Sequence, residues 1–158
     1  MKKGLSAQYR ITDAYNKKNT LLFEFRAASI TRSLKIEIRK EQKDFHWEKK
    51  IAFSKYSTKQ VMLKGLTLEQ MMKNKIAALL SRKLIRDAFD IEFLFMRGIE
   101  LPSDKETLEK MLSIINSFKD KDFKVTLGAV LEQKEREYYT ASKFKLLKEE
   151  IKGLMLKR

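Results

Sequence analysis

Residues 66–99, LTLEQMMKNKIAALLSRKLIRDAFDIEFLFMRGI, contain apolar residues that repeat with the period of an α-helix. Thr67 and Gln70 have the spacing of a capping box, which predicts that a helix begins there and ends near Arg82. A second helix is predicted over about residues 84–97, because a glycine follows it. The stretch is therefore expected to form two helices joined by a tight turn.

Before this stretch the hydrophobic pattern is that of β-strands. From about Thr20 to Leu66 apolar residues alternate with polar ones, and the clearest run is residues 34–39, LKIEIR. Further strand-like runs lie around residues 51–53 and 61–63. The region is therefore expected to form a small antiparallel sheet.

After the helical pair the pattern stays helical. Three further helices are expected, over about residues 103–118, 122–139 and 141–156. Ser103 with Glu106 is predicted to cap the first of them. The predicted fold class is therefore α+β, with a small antiparallel sheet in residues 1–66 followed by a C-terminal helical bundle in residues 67–158.

The composition excludes several kinds of functional site. The chain has no cysteine, which excludes disulfides and thiolate metal sites. Its single histidine, His46, excludes a histidine-cluster metal site and disfavours a Ser-His-Asp triad. The first ten residues lack the apolar segment of a signal peptide, and no apolar run is long enough to span a membrane. We therefore expect a cytoplasmic protein.

The net charge of +14 is concentrated in the first half of the chain. Residues 1–79 contain 18 Lys and Arg against 7 Asp and Glu, a net +11, whereas residues 80–158 contain 17 against 14, a net +3. A basic first half attracts polyanions such as nucleic acid, nucleotide phosphates or an acidic partner protein. A general enrichment in lysine would give the same charge without a binding role, and both interpretations stay open.

The first candidate for a chemical role is Lys75. It lies in the middle of the apolar face to which Leu68, Met72 and Leu79 contribute on the first helix. An unpaired ammonium buried on that face would be strongly destabilising, so the side chain must extend into solvent or meet an anion. A structural ion pair and a site that handles phosphate are both consistent with this position.

A narrow polar stripe on the second helix supplies partners for Lys75. Arg86, Asp90 and Arg97 follow each other at spacings of four and seven in an otherwise apolar helix, and Asp87 lies beside them. A mostly apolar helix is buried, so the stripe is expected to face another element rather than bulk water. We therefore predict that the ammonium of Lys75 lies within ion-pair distance of Asp87 or Asp90, with Asp90 favoured.

Glu37 is a candidate metal ligand in the strand region. In the run LKIEIRK it lies on the polar face of the strand, between Lys35 and Arg39. A solvated strand face that balances its own charges explains this pattern. A metal-binding carboxylate on an open sheet face is the alternative.

The helical pair in residues 66–99 resembles the signature of the abortive-infection type IV toxins (the AbiEii/AbiGii toxin family), which are nucleotidyltransferases with a polymerase-β-like fold. In that signature a lysine on an acidic and apolar helix is followed by an arginine, by Arg-Asp, by a second aspartate, and by an apolar run that ends in leucine. The matching residues here are Lys75, Arg82, Arg86, Asp87, Asp90 and Leu94. The run LKIEI resembles the strand that carries the third carboxylate of the fold, which corresponds to Glu37.

This resemblance implies a nucleotidyltransferase toxin of a toxin–antitoxin and phage-defence system, or the C-terminal portion of one, with a partial nucleotidyltransferase-like sheet in residues 1–66. Lys75 and Asp90 are then expected to be catalytic, and Glu37 to bind Mg²⁺. The residues expected to bind nucleotide phosphates are Arg82, Arg86 and Asp87. The expected partners are a nucleoside triphosphate, an RNA acceptor such as tRNA, and a cognate antitoxin.

One departure from the family pattern concerns catalysis. The first motif of the family is a Gly-Ser turn followed by an Asp-x-Asp pair, which holds the nucleotide phosphates and the metal ions. Gly4 and Ser6 are followed by Asp13, but no second acidic residue lies two positions from Asp13. We therefore expect a truncated chain or a natural short relative that does not catalyse nucleotide transfer alone.

Two functions without catalysis remain as alternatives. One is a basic module that binds RNA or a protein, because basic residues alternate with aromatic ones without forming a recognisable RNA-binding motif. The aromatic residues concerned are Tyr9, Tyr15, Phe45, Trp47 and Tyr56. The other is a structural helical module for docking.

Overall fold

The computed structural model describes residues 9–27, 31–40, 44–54 and 56–156. The chain divides into two compact units, Met1–Asp44 and Phe45–Arg158. The strands are β1 (Tyr9–Asn16), β2 (Thr20–Ala27), β3 (Leu34–Arg39), β4 (Trp47–Ser54) and β5 (Ser57–Leu66). The α-helices are α1 (Leu68–Arg82), α2 (Ile85–Phe95), α3 (Lys105–Ser117), α4 (Gln133–Ser142) and α5 (Lys145–Leu156). The predicted α+β class, with the sheet before the helices, is confirmed. Gly4 and Ser6, which were compared with the first motif of the family, lie outside the described residues.

The first unit contains a three-stranded antiparallel sheet in the order β1-β2-β3. Strand β2 is central, and its side chains Leu22 and Phe25 are buried. In the register of β2 and β3, Leu22 lies opposite Glu37. The alternating pattern does not predict β1, because only Ile11 and Tyr15 of that strand are partly buried. Strand β1 exists through its pairing with β2 rather than through a buried face of its own.

Strands β4 and β5 form a separate two-stranded hairpin within the second unit. The strand-like runs at residues 51–53 and 61–63 both lie in it, so those two predictions are confirmed. Many of its apolar side chains are exposed, among them Trp47, Ile51 and Met62. The strands therefore form two small sheets, whereas the alternating pattern predicts one.

The change from strands to helices falls between Leu66 and Leu68, where the change of hydrophobic period predicts it. The compact units nevertheless divide after Asp44, because the hairpin clusters with the helices. The sheet region and helical bundle that the sequence predicts are thus regions of secondary structure, and their status as domains with a boundary at residue 66 stays a prediction.

Helix α1 begins as predicted. The hydroxyl of Thr67 accepts a hydrogen bond from the backbone N–H of Gln70 at 3.2 Å, which satisfies a donor at the helix start. The side-chain oxygen of Gln70 accepts from the backbone N–H of His46 at 3.3 Å instead of closing a capping box. The helix ends at Lys83, whose left-handed φ of 53° turns the chain directly into α2. The expected pair of helices with a tight turn is therefore present.

The cap of α3 differs from the prediction. Asp104, rather than Ser103, precedes the first residue of the helix, and its Oδ1 accepts from the backbone N–H of Thr107 at 3.1 Å. The predicted pairing of Ser103 with Glu106 is wrong because the aspartate next to Ser103 occupies the capping position.

The predicted helix over residues 122–139 is wrong. Asp122–Leu127 form a π-helical turn, and α4 begins only after Glu132, whose side chain caps it. At the end of the π-helical turn a Cβ on Gly128 would lie 2.3 Å from the carbonyl oxygen of Lys124, so the chain is too tight there for a side chain. Hydrophobic spacing alone does not reveal such a break, because both arrangements bury residues four apart.

The core of the second unit lies among the helices. Its fully buried side chains come from α1, α2, α3, α5 and the residues between the helices. They include Leu79, Ile91, Leu108, Met111, Leu127, Phe144, Leu147 and Ile151. Helix α2 is central to this core, which fixes the position of every polar residue that it carries.

Candidate active site

The ion pair predicted for Lys75 is present. Its Nζ on α1 lies 2.5 Å from Oδ2 of Asp90 on α2. The lysine follows the apolar face of α1, where Met72 and Leu79 are buried, and its side chain remains 32% exposed, against 36% for Asp90. The prediction is confirmed with the favoured partner. Because about a third of each side chain is accessible, an anion in solvent can reach the lysine without unfolding either helix.

Arg82 and Asp87 form a second ion pair across the turn between α1 and α2. Nε of Arg82 donates to Oδ2 of Asp87 at 2.7 Å, and Nη2 donates to Oδ1 at 2.6 Å. Asp87 is fully buried, whereas 55% of the arginine side chain is exposed. The hydrogen bonds to Asp87, assisted by its charge, raise the pKa of Arg82. The guanidinium is therefore held in one orientation while part of it faces solvent.

The two arginines of the polar stripe, Arg86 and Arg97, have different surroundings. Arg86 is exposed on the first turn of α2. The guanidinium carbon of Arg97 lies 4.3 Å from the centre of the Phe93 ring, a cation–π contact. The stripe is thus divided: Arg86 stays on the surface beside the buried Asp87, and Arg97 is held on an aromatic ring.

Sequence reasoning misses Glu92, the second fully buried acid of α2. Its Oε1 accepts a hydrogen bond from the backbone N–H of Leu147 at 3.1 Å, at the start of α5. Burial raises the pKa of Glu92, although the Leu147 N–H and the Tyr139 hydroxyl favour its charged form. Burial and the nearby Glu92 charge likewise raise the pKa of Tyr139. The only sequence signal is an acid inside the apolar run IEFLF.

Replacing Glu92 by glutamine is expected to increase stability at pH 7 relative to the native chain. The carboxyl group of Glu92 has a higher pKa in the folded chain than in the unfolded chain. Its contribution to stability is therefore complete below the unfolded pKa and is lost as the pH rises through the folded pKa. Glutamine keeps an oxygen acceptor for Leu147 and carries no buried charge. Urea unfolding of both proteins at pH 4.5 and pH 7 measures this effect. The prediction is wrong if the stability of Glu92→Gln relative to the native chain does not increase from pH 4.5 to pH 7.

Glu37 lies in the first compact unit, whereas Lys75 and Asp90 lie in the second. It is exposed on β3, and its Oε2 is 4.0 Å from Nζ of Lys35. Within the described ranges, no three side chains from His, Cys, Asp and Glu come together to hold a metal ion. Mg²⁺ needs several oxygen ligands around it, and Glu37 supplies one carboxylate. The expected role of Glu37 as a metal ligand therefore stays a prediction.

The structure thus places a lysine–aspartate pair and an arginine held by a buried aspartate on two consecutive helices. The model of the nucleotidyl transferase AbiEii toxin family, of type IV toxin–antitoxin systems, matches residues 2–154. The chain belongs to this family of toxins. The match extends beyond the helical pair in residues 66–99, which carries most of the resemblance, into the C-terminal helices. Membership implies an antitoxin partner.

No curated protein and no solved structure matches the chain significantly. In the part of the chain that the structure describes, no helix has the length and apolar composition needed to cross a membrane.

Proposed function

We propose that this toxin is a nucleotidyltransferase that transfers a nucleotide from a nucleoside triphosphate to an RNA acceptor such as tRNA. Family membership supports the reaction class. The observation that carries the proposal is the contact of 2.5 Å between Lys75 and Asp90, two matched signature residues, on an accessible surface. About a third of each side chain is exposed, so a nucleotide can reach the pair.

The proposed roles follow from the contacts of each residue. Asp90 holds the ammonium of Lys75 in place, and that ammonium stabilises negative charge on the triphosphate. Arg86 is proposed to bind phosphate oxygens with paired donors, and Arg82 with the guanidinium N–H groups that Asp87 does not use. Asp87 is buried under Arg82, so its proposed contribution to phosphate binding is to orient that arginine.

Glu37 is proposed as one carboxylate ligand of Mg²⁺, as in the resemblance. Metal ions in such reactions neutralise charge on the transferring group, and the remaining ligands would have to come from elsewhere.

Nucleotide binding tests the proposal without requiring turnover. Titration of the chain with a fluorescent nucleoside triphosphate is expected to show affinity that falls about tenfold or more in Lys75→Met, because a hydrogen bond to a charged group contributes about 1.5–3 kcal/mol. Lys73→Met is the matched control, since it removes an exposed cation two positions away on the same helix. It is expected to change the affinity less than about threefold, because an exposed charge is screened by solvent.

The proposal is wrong if both methionine variants bind the nucleotide equally well, since the charge at position 75 would then have no specific role. Arg86→Gln provides a second measurement, because the side chain is exposed and its replacement is not expected to disturb folding. A fall in nucleotide affinity in Arg86→Gln and Lys75→Met, with unchanged circular dichroism, supports a shared phosphate site.

RNA or protein binding without catalysis is the second candidate function, and the β4–β5 hairpin favours it. The ammonium of Lys64 lies 4.0 Å from the centre of the Trp47 ring, and the ring is 51% exposed. Exposed aromatic rings next to cations suit nucleic acid, whose bases stack and whose phosphates pair with lysine. This surface would serve either a catalytic toxin or a simple binding module.

A further inference from the structure

The first compact unit contains a cavity of about 570 Å³ at the turn between β1 and β2. Its lining residues are Lys18, Asn19, Thr20, Arg39 and Lys40. Three of the five are cations, and no carboxylate among the described residues lines the cavity. The cavity therefore concentrates positive charge in a concave surface.

The backbone brings these residues together from two separate parts of the chain. The turn is closed by a hydrogen bond from the N–H of Lys17 to the carbonyl oxygen of Thr20 at 2.9 Å. The N–H of Lys40 donates to the carbonyl oxygen of Asn19 at 3.0 Å, which attaches the end of β3 to the turn. Because Thr20 pairs with Arg39 in the sheet, the arginine and the turn lysines are held at the same sheet end.

One of the three cations is fixed before any ligand arrives. The ammonium of Lys40 donates to the side-chain oxygen of Asn16 and to the backbone carbonyl oxygen of Lys17, the latter at 2.6 Å. These acceptors are neutral, so they orient the ammonium without compensating its charge. Pre-organised donors bind an anion with a smaller loss of conformational entropy than mobile ones.

The cavity holds its three cations without a carboxylate partner. No described carboxylate forms an ion pair with Lys18, Arg39 or Lys40, and none lines the cavity. Three cations around one concave space repel each other, and an anion bound among them removes that repulsion.

We infer that this cavity is a phosphate-binding site, which takes the phosphate groups of a nucleotide or of a nucleic-acid backbone. The guanidinium of Arg39 can bind two oxygens of one phosphate, and the lysines supply point charges beside it. The site belongs to the unit that lacks Lys75 and Asp90. The inference therefore stands whether or not the chain transfers nucleotides.

Two variants that each remove two positive charges distinguish a local binding site from the general basicity of the chain. Lys18→Gln/Arg39→Gln removes two cations from the cavity. Arg10→Gln/Arg26→Gln removes two exposed arginines that lie opposite each other at the other end of the β1–β2 pair. Lys40 is left unchanged because its hydrogen bonds hold the turn, and circular dichroism checks that both variants fold.

The measurement is fluorescence anisotropy with a labelled 12-nucleotide single-stranded RNA and the full chain, over a series of salt concentrations. The cavity variant is expected to lose affinity by about tenfold to a hundredfold, because it removes two charged hydrogen-bonding groups. Its slope of log affinity against log salt is expected to fall by about 1.4, as two phosphate contacts are lost. The control variant is expected to change affinity by less than about threefold.

Competition with inorganic tripolyphosphate distinguishes the two sources of phosphate. Displacement of the RNA by micromolar tripolyphosphate from the native chain, but not from the cavity variant, assigns the site to the phosphates of a free nucleotide. RNA binding that resists tripolyphosphate but depends on the cavity assigns it to a nucleic-acid backbone. Equal losses in the two charge-matched variants, or no binding of either probe, would overturn the inference.

Discussion

Replacing Arg82 by alanine is expected to lower the free energy of unfolding of the helical unit by about 3 kcal/mol, because the fully buried carboxylate of Asp87 then loses its counter-charge. Both oxygens of that carboxylate accept hydrogen bonds from Arg82, and water reaches neither of them in the folded chain. Urea denaturation monitored by circular dichroism measures the change.

The reverse change and the double change complete a thermodynamic cycle. Asp87→Ala leaves the unpaired charge on Arg82, which is half exposed and keeps its hydration, so it is expected to destabilise less than Arg82→Ala. The double variant is expected to be more stable than Arg82→Ala alone, because no buried charge remains. If the two single changes were additive in the double variant, the pair would have no coupling and the argument would be wrong.

Replacing Phe144 by alanine is expected to lower the free energy of unfolding by about 3–5 kcal/mol, the usual effect of removing a buried aromatic ring. Its ring is fully buried, with ring centres of Phe123 and Tyr139 at 5.3 Å and 5.4 Å. Phe144 also has a φ of 58°, which is unfavourable for a bulky residue. Burial of the ring holds the backbone in this conformation between α4 and α5.

Phe53→Ala is the control for this prediction, because 80% of Phe53 is exposed on the hairpin. It is expected to change stability by less than about 0.5 kcal/mol. Thermal unfolding of both variants gives the comparison. A loss of less than about 1 kcal/mol in Phe144→Ala would mean that the junction of α4 and α5 does not hold the bundle together.

The geometry of the candidate site can partly be predicted from the sequence. Helical spacing places Lys75 on an apolar face and Asp90 on the polar stripe of the next helix, and a short connection makes the two helices neighbours. The ion pair follows from these local rules, and the structure contains it. The roles of both residues in a reaction depend on the resemblance and stay proposals.

Other contacts of the same helices cannot be predicted from the sequence. Asp87 was an alternative partner for Lys75, but the left-handed turn at Lys83 brings Arg82 back over it. Glu92 meets the backbone of Leu147 across 55 residues of sequence, and no spacing rule connects positions so far apart. Only the packing of the helices decides that Asp87 and Glu92 are buried while Asp90 remains partly exposed.

The α+β class, the change from strands to helices after Leu66, and the start of α1 at its Thr67 cap can all be predicted from the sequence. These features depend on hydrophobic period and on contacts within a few residues, which one chain segment contains completely. The addition of β1 to the sheet, the π-helical turn at Asp122–Leu127 and the cationic cavity beside Arg39 become visible only in the folded chain. Each of these depends on backbone pairing or packing between distant segments, which outweighs local preference when it buries apolar surface or satisfies hydrogen bonds.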